Sequence, residues 1–234
     1  MLVFGFDDIT DPAPQSCLTV LINLGQSHLT HRASLPTGEI TVTYDKYLRN
    51  VLKILVNIQE KFPQQFAEFM TPALEFAYQI AFNSGDRLDV KLVAKALCLM
   101  SCVMVCEDYD VFKLVNRNVN MTPQSVQFNE ARNSFFTEVR LKEMCSTCIQ
   151  KYLKLSNVEL ENWTDNPEEF AFEETRYIPL FHLKASAEAF VLNMTATYQD
   201  IVCPYIVELI KSCSSLDITN LDQVSRHNFL FLRL

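Results

Sequence analysis

From Thr43 onward the chain places apolar residues on a helical period. Tyr44, Tyr47, Leu48, Val51, Leu52, Leu55, Ile58 and Phe62 recur at spacings of three and four, with Lys46, Arg49, Asn50 and Lys53 mostly on the other side. This predicts an amphipathic helix that Pro63 ends, and Pro63 also suits the first position of a following helix. The second stripe runs through Phe66, Phe69, Met70, Ala73, Leu74, Phe76, Ala77, Ile80 and Ala81 and stops at Ser84-Gly85, with Pro72 expected to kink or divide it. Two striped helices with a short break between them form an antiparallel pair.

The pattern repeats with variations. Asp89 reads as the N-cap of a segment from Val90 to Cys106 that is apolar nearly all round, so an inner helix is expected there. Residues 107–127 are polar and read as a connector. A stripe then carries Phe128, Ala131, Phe135, Val139, Cys145, Cys148, Ile149, Tyr152 and Leu153, in one long helix or two. Segments from Pro179 to Thr195 and from Tyr198 to Cys213 supply the next pair. The organisation expected is a poorly defined segment over 1–41, with one helix around Cys17 to Leu29, helical repeats over 42–213, and an uncertain tail over 214–234. The fold class that follows is all-α, a HEAT/armadillo-type α-solenoid of antiparallel helix pairs.

Between the helical stretches lies an acidic one at 156–176. It holds Glu159, Glu161, Asp165, Glu168, Glu169, Glu173 and Glu174, and no Lys or Arg falls between Lys154 and Arg176, so no local neutralisation is expected. Leu160, Trp163, Phe170 and Phe172 are interleaved as apolar anchors. Asn166-Pro167 forces a turn, because the residue before proline is pushed out of the helical region, and Pro167 can open a short helix with Glu168 and Glu169 in its first turn. The stretch reads as an acidic loop pinned by aromatics.

Composition narrows the function classes. A net charge of −8 with an isoelectric point near 5.0 argues against nucleic acid and favours basic protein partners, or none. The chain is 49% hydrophobic with a mean hydropathy of +0.05, which suits helices that cover one another. The longest apolar run, Leu92 to Cys106, is too short to span a bilayer and contains Lys95. The start of the chain has no secretory signal, so the 8 cysteines read as reduced apolar filler rather than a disulfide framework. Cys98, Cys102 and Cys106 share a helical face, but no His or carboxylate joins them before Glu107, and structural zinc wants four ligands, so core packing is the reading. Cys145 and Cys148 spell C-x-x-C in mid-helix without a second pair, and His28 and His31 stand alone. No metal is expected. The 4 glycines, Gly5, Gly25, Gly38 and Gly85, are too dispersed for a phosphate loop, and neither a nucleophile elbow nor His-Glu-x-x-His occurs. No cofactor and no catalysis are expected.

The acidic stretch carries a resemblance. Tyr152-Leu153-Lys154-Leu155, then Leu160, Trp163 and Asn166-Pro167-Glu168-Glu169-Phe170, resembles the importin-β (karyopherin) family of nuclear transport receptors. Phe135-Phe136-Thr137 upstream and Glu173-Glu174-Thr175 downstream look most like its importin-eleven branch, and the likeness runs from about Phe128 to Cys213. The family more often has Asp-Pro where this chain has Asn166-Pro167, which leaves the turn intact. The resemblance implies a HEAT-repeat receptor that carries protein cargo through nuclear pores under Ran-GTP control, shuttling between nucleus and cytoplasm and meeting Phe-Gly nucleoporins. It makes Glu159, Glu161, Asp165, Glu168, Glu169, Glu173 and Glu174 candidate contacts for basic cargo or Ran, and Trp163, Pro167 and Phe170 structural anchors. It also leads us to expect an internal fragment, with Ran-GTP bound through regions lying elsewhere. The alternative is a static helical-repeat scaffold in a stable protein complex.

Overall fold

The first stripe becomes a helix that starts earlier than its apolar residues. In the structure, a computed structural model that describes residues 12–84, 88–110, 123–154, 157–169 and 183–213, α2 spans Glu39–Lys61. Thr41 sets the start: its hydroxyl donates to the Gly38 carbonyl (2.7 Å) and accepts from the Gly38 N–H (3.0 Å), which closes the first turn. Leu48, Val51, Leu52 and Leu55 are fully or almost fully buried. At the other end the Phe62 N–H still reaches Ile58 O (2.8 Å), and Pro63 opens α3 (Pro63–Phe66).

The next helix is divided, but not at Pro72. A tighter turn at Ala67–Phe69 interrupts it, and α4 (Met70–Tyr78) follows. Pro72 is the third residue of α4, where a missing N–H costs no intrahelical bond, so the break lies one turn upstream of the proline. A wider turn, Gln79–Asn83, ends the helix, and Ser84 Oγ donates back to Gln79 O (2.6 Å).

Ahead of α2, α1 runs from Pro12 to Ser34, well beyond the Cys17 to Leu29 expected. Its large apolar buried positions are Leu18, Ile22 and Leu29, while Val20 and Leu24 are exposed, so apolar residues on both sides blur the stripe. α1 packs on α2 and α4.

α5 (Val90–Met104) is the inner helix, packed against α2 and α4, with Leu92, Ala96, Leu97, Leu99, Met100 and Val103 at 0% exposure. Asp89 caps it: its side chain accepts from the Lys91 N–H (3.4 Å) and pairs with Arg49 Nη1 of α2 (3.1 Å). The polar connector that follows contributes more than expected. A turn at Glu107–Tyr109 drives Tyr109 into the core, where its hydroxyl donates to the Pro63 carbonyl and lies 2.9 Å from Gln59 Oε1. α6 (Pro123–Phe135) then packs on α4, and Phe135 meets Tyr78 edge-on with ring centroids 6.2 Å apart. Buried Arg132 reaches back to Met104 O (3.3 Å), at the end of α5.

The stripe from Phe128 to Leu153 makes two helices, because the chain turns at Phe136-Thr137, where two compact units divide. Unit one is Met1–Thr137 and unit two is Glu138–Leu234. Val139, expected on the buried stripe, is 75% exposed in the first helical turn after Phe136-Thr137, whereas Cys145, Cys148, Ile149, Tyr152 and Leu153 are buried as expected. In the second unit α7 (Glu138–Thr147) ends in a widened turn at Cys148–Tyr152. It is followed by α8 (Asn157–Asp165), α9 (Leu183–Thr197) and α10 (Gln199–Cys213). Leu141, Met144, Cys145, Cys148 and Ile149 face Ala187, Phe190, Met194, Val202 and Ile206 in a core shared by α7, α9 and α10. The fold is all-α and HEAT-like, with no strand among the described residues. None of the described helices is long and apolar enough to cross a membrane.

Candidate functional site

Where it is described, at 157–169, the acidic stretch is mostly helical. Leu160 and the glutamates around it favour helix, and Glu159 sits in the first turn where the helix dipole welcomes an anion, so Asn157–Asp165 forms α8. The Asn166 N–H closes on Asn162 O (2.8 Å), and Pro167 starts a further short helical turn at 167–169, as the turn chemistry predicts. Across that turn Asn166 Nδ2 donates to Glu169 Oε2 (2.6 Å).

Charge is distributed unevenly along this segment. Glu159 is partly buried and pairs with Lys184 of α9, a neutralising partner from outside the stretch, while no Lys or Arg lies within it as read from the sequence. Lys184 lies 25 residues away along the chain and only folding brings it near. Glu161, Asp165, Glu168 and Glu169 are exposed. Glu161 and Asp165 are one turn apart on one face, a like-charge pairing that costs about 0.2–0.5 kcal/mol in a helix. Asp165 is also the last residue of α8, the end where the dipole disfavours an anion, and no basic residue occupies that last turn. These carboxylates weaken the helix they stand on.

Pro167 is exposed and acts through its backbone rather than as a packed side chain. Phe170, Glu173 and Glu174 lie outside the described residues, as does the side chain of Trp163.

Other candidate chemistry is absorbed by packing. His28 packs edge-on against Tyr44 and Tyr47, with centroids 5.4 and 4.9 Å apart, and His31 Nδ1 is 3.0 Å from Tyr44 Oη. Cys145 and Cys148 are buried in the second core. Burial pushes the Cys145 thiol up to about 12, and Cys148 well above its ordinary value. Among the described residues no group of three or more His, Cys, Asp or Glu side chains is placed to hold a metal ion.

No protein-family model matches the chain. It is similar to Importin-11 of Homo sapiens and of Mus musculus, 22% identical to each over 180 residues, which cover 75% of this chain and 18% of theirs. It is also similar to the importin beta-like protein KAP120 of Saccharomyces cerevisiae, 25% identical over 148 residues, which cover 63% of this chain and 14% of that one. Among solved structures it is similar to Lph2, a bidirectional nuclear transport receptor of S. cerevisiae, with a TM-score of 0.67 and 17% identity over 95% of this chain and 23% of that one. The chain thus spans about a fifth of the length of the curated relatives it matches.

Proposed function

We propose that this chain, whose homologues are importin-β-family proteins at low identity, forms part of a nuclear transport receptor and uses its acidic surface to hold basic segments of protein cargo. The observation that carries the reading is the placement of Glu161, Asp165, Glu168 and Glu169. All four are exposed and crowded with like charge, and Asp165 stands at the wrong end of a helix dipole, in a chain of net charge −8. Carboxylates that weaken their own helix gain when a cation covers them, and a cationic peptide supplies that cover. Such a field also speeds encounter with a basic partner, and salt screens it. Glu159 is committed to Lys184 and serves as the fixed edge of the surface rather than as a free contact. Glu173 and Glu174 extend the acidic run in sequence and belong to the same proposal, as does packing of Trp163 and Phe170 beneath it.

In this reading the work is binding and release, without bond-making. Ran-GTP controls release, Phe-Gly nucleoporins are met during passage, and the protein shuttles between cytoplasm and nucleus. The test is binding of an Arg/Lys-rich peptide to this chain by fluorescence anisotropy at two salt concentrations, and its reversal by Ran-GTP in a receptor that includes the regions expected to bind Ran. Binding that weakens with salt here and is reversed by Ran-GTP there supports the reading. Binding that ignores salt here and Ran-GTP there would favour a static scaffold.

A further inference from the structure

α5 is covered along most of its surface, and the strip that solvent reaches runs through Lys91, Lys95, Cys98 and Cys102 to Val105. Cys98 and Cys102 are therefore edge residues, each partly exposed, rather than the core filler their apolar surroundings in sequence suggest. They are one helical turn apart on one face and hydrogen-bond each other. A carboxylate does stand beside them, from a helix 42 residues away: Glu60 Oε1 of α2 lies 3.8 Å from Cys102 Sγ. The hydrogen bond from Cys102, with help from Lys95, holds the Cys98 thiol down at about 7 against the opposing effect of burial.

Helix geometry decides what such a pair can do. Side chains four apart on a helix have Cβ atoms about 5–6 Å apart. A disulfide needs about 3.5–4.5 Å, so the pair cannot close one while α5 stays helical. A single bridging atom with bonds of about 2.3 Å to each sulfur, the length of a zinc–thiolate bond, does span it. Zinc itself wants four ligands, and no group of three or more is in place among the described residues. Thiolates select soft ions, and some of these are satisfied by two sulfurs.

We propose that Cys98 and Cys102 form a dithiol site that takes one soft, thiophilic ion of the monovalent-copper or trivalent-arsenic class across the exposed edge of α5, with the Glu60 carboxylate beside it. The inference is independent of the transport reading. With an arsenoso compound the step is a condensation. Both S–H bonds break, two As–S bonds form, and the two protons leave with the oxide oxygen as one water; arsenic stays trivalent and nothing is oxidised or reduced.

The test uses phenylarsine oxide on the full chain, kept reduced, in the presence of excess monothiol. Intact mass and peptide mapping should show one arsenical per chain, gained with loss of one water, bridging Cys98 and Cys102 and stripped only by a dithiol. Cys98→Ser and Cys102→Ser, conservative changes at partly exposed positions, should each lose the monothiol-resistant adduct while keeping the helical circular dichroism spectrum. Mapping on the unsubstituted chain decides the matter even if a variant folds poorly. An adduct located at Cys145 and Cys148, an adduct that persists in both serine variants, or no retained adduct would overturn the assignment.

Discussion

Arg32 donates through Nε and Nη2 to the two carboxylate oxygens of Asp45, at 2.8 and 2.9 Å, in an interface between α1 and α2 where both side chains are less than a tenth exposed. A fork-on-fork pair of this kind fixes the relative rotation of two helices as well as their separation. Breaking it leaves a buried charge without its partner. Arg32→Met alone, or Asp45→Leu alone, should therefore destabilise by about 3–5 kcal/mol, whereas the double substitution should recover most of the loss. Urea unfolding of the three variants checks this, and additive losses would show that the two residues do not act as a pair.

Close approach sets a second expectation. A Cβ added at Gly25 would sit 2.9 Å from Cζ of Phe76, which is fully buried on α4. In an open helix Gly→Ala gains about 0.5–1 kcal/mol. Here the ring has no exposed end to swing into, so Gly25→Ala should instead cost about 1–3 kcal/mol as an overpacked site. Phe76→Leu in the same background should cost less than it does alone, and thermal melts of the four combinations measure the coupling.

Tyr109 gives a third. Its buried hydroxyl donates to the Pro63 carbonyl where α2 hands over to α3, with the Gln59 side-chain amide 2.9 Å away. Tyr109→Phe keeps the ring and strands that carbonyl, so a loss of about 1–3 kcal/mol is expected in denaturant unfolding. A silent substitution would mean that water replaces the hydroxyl.

The second core predicts a pH dependence. Burial raises the Cys145 thiol from its ordinary 9.0 to about 12, and Cys148 rises as well. The folded state holds these protons more tightly than the unfolded one, so the stabilisation they contribute is whole below pH 9 and is lost as pH climbs towards 12. Alkylation by iodoacetamide at pH 8 should label exposed Cys17 and Cys203 rapidly and spare Cys145 and Cys148 until the chain is unfolded. Rapid labelling of the buried pair would contradict the packing of α7 against α9.

What could be read in advance divides by range. α2 and α5 were legible because their signals are local: a stripe at helical spacing, Pro63 at a junction, and Asp89 one residue ahead of Val90. α1 was foreshortened because exposed Val20 and Leu24 dilute its stripe. Arg32 carries no local signal because its partner is 13 residues on, and Tyr109 reads as connector because Gln59 and Pro63 lie 50 and 46 residues back. The same limit governs the candidate sites. The acidic stretch is contiguous and announces itself, but the pairing of Glu159 with Lys184 and of Cys102 with Glu60 exists only once helices pack. Val139 failed for a different reason: it stands in the first turn of α7 just past the Phe136-Thr137 turn, while the later stripe positions Cys145, Cys148, Ile149, Tyr152 and Leu153 are buried as expected.

The central claim is that the exposed carboxylates of α8 and 167–169 bind basic cargo. The most direct measurement replaces Glu161, Asp165, Glu168 and Glu169 together by Gln or Asn and compares affinity for an Arg/Lys-rich peptide with melting temperature. Removing like charge from a helix end should leave the melt unchanged or slightly raised, while each lost surface contact costs about 0.2–1 kcal/mol, so affinity should fall roughly tenfold or more and lose its salt dependence. An unchanged affinity at an unchanged melting temperature would contradict the account and leave the stretch a spacer between helices.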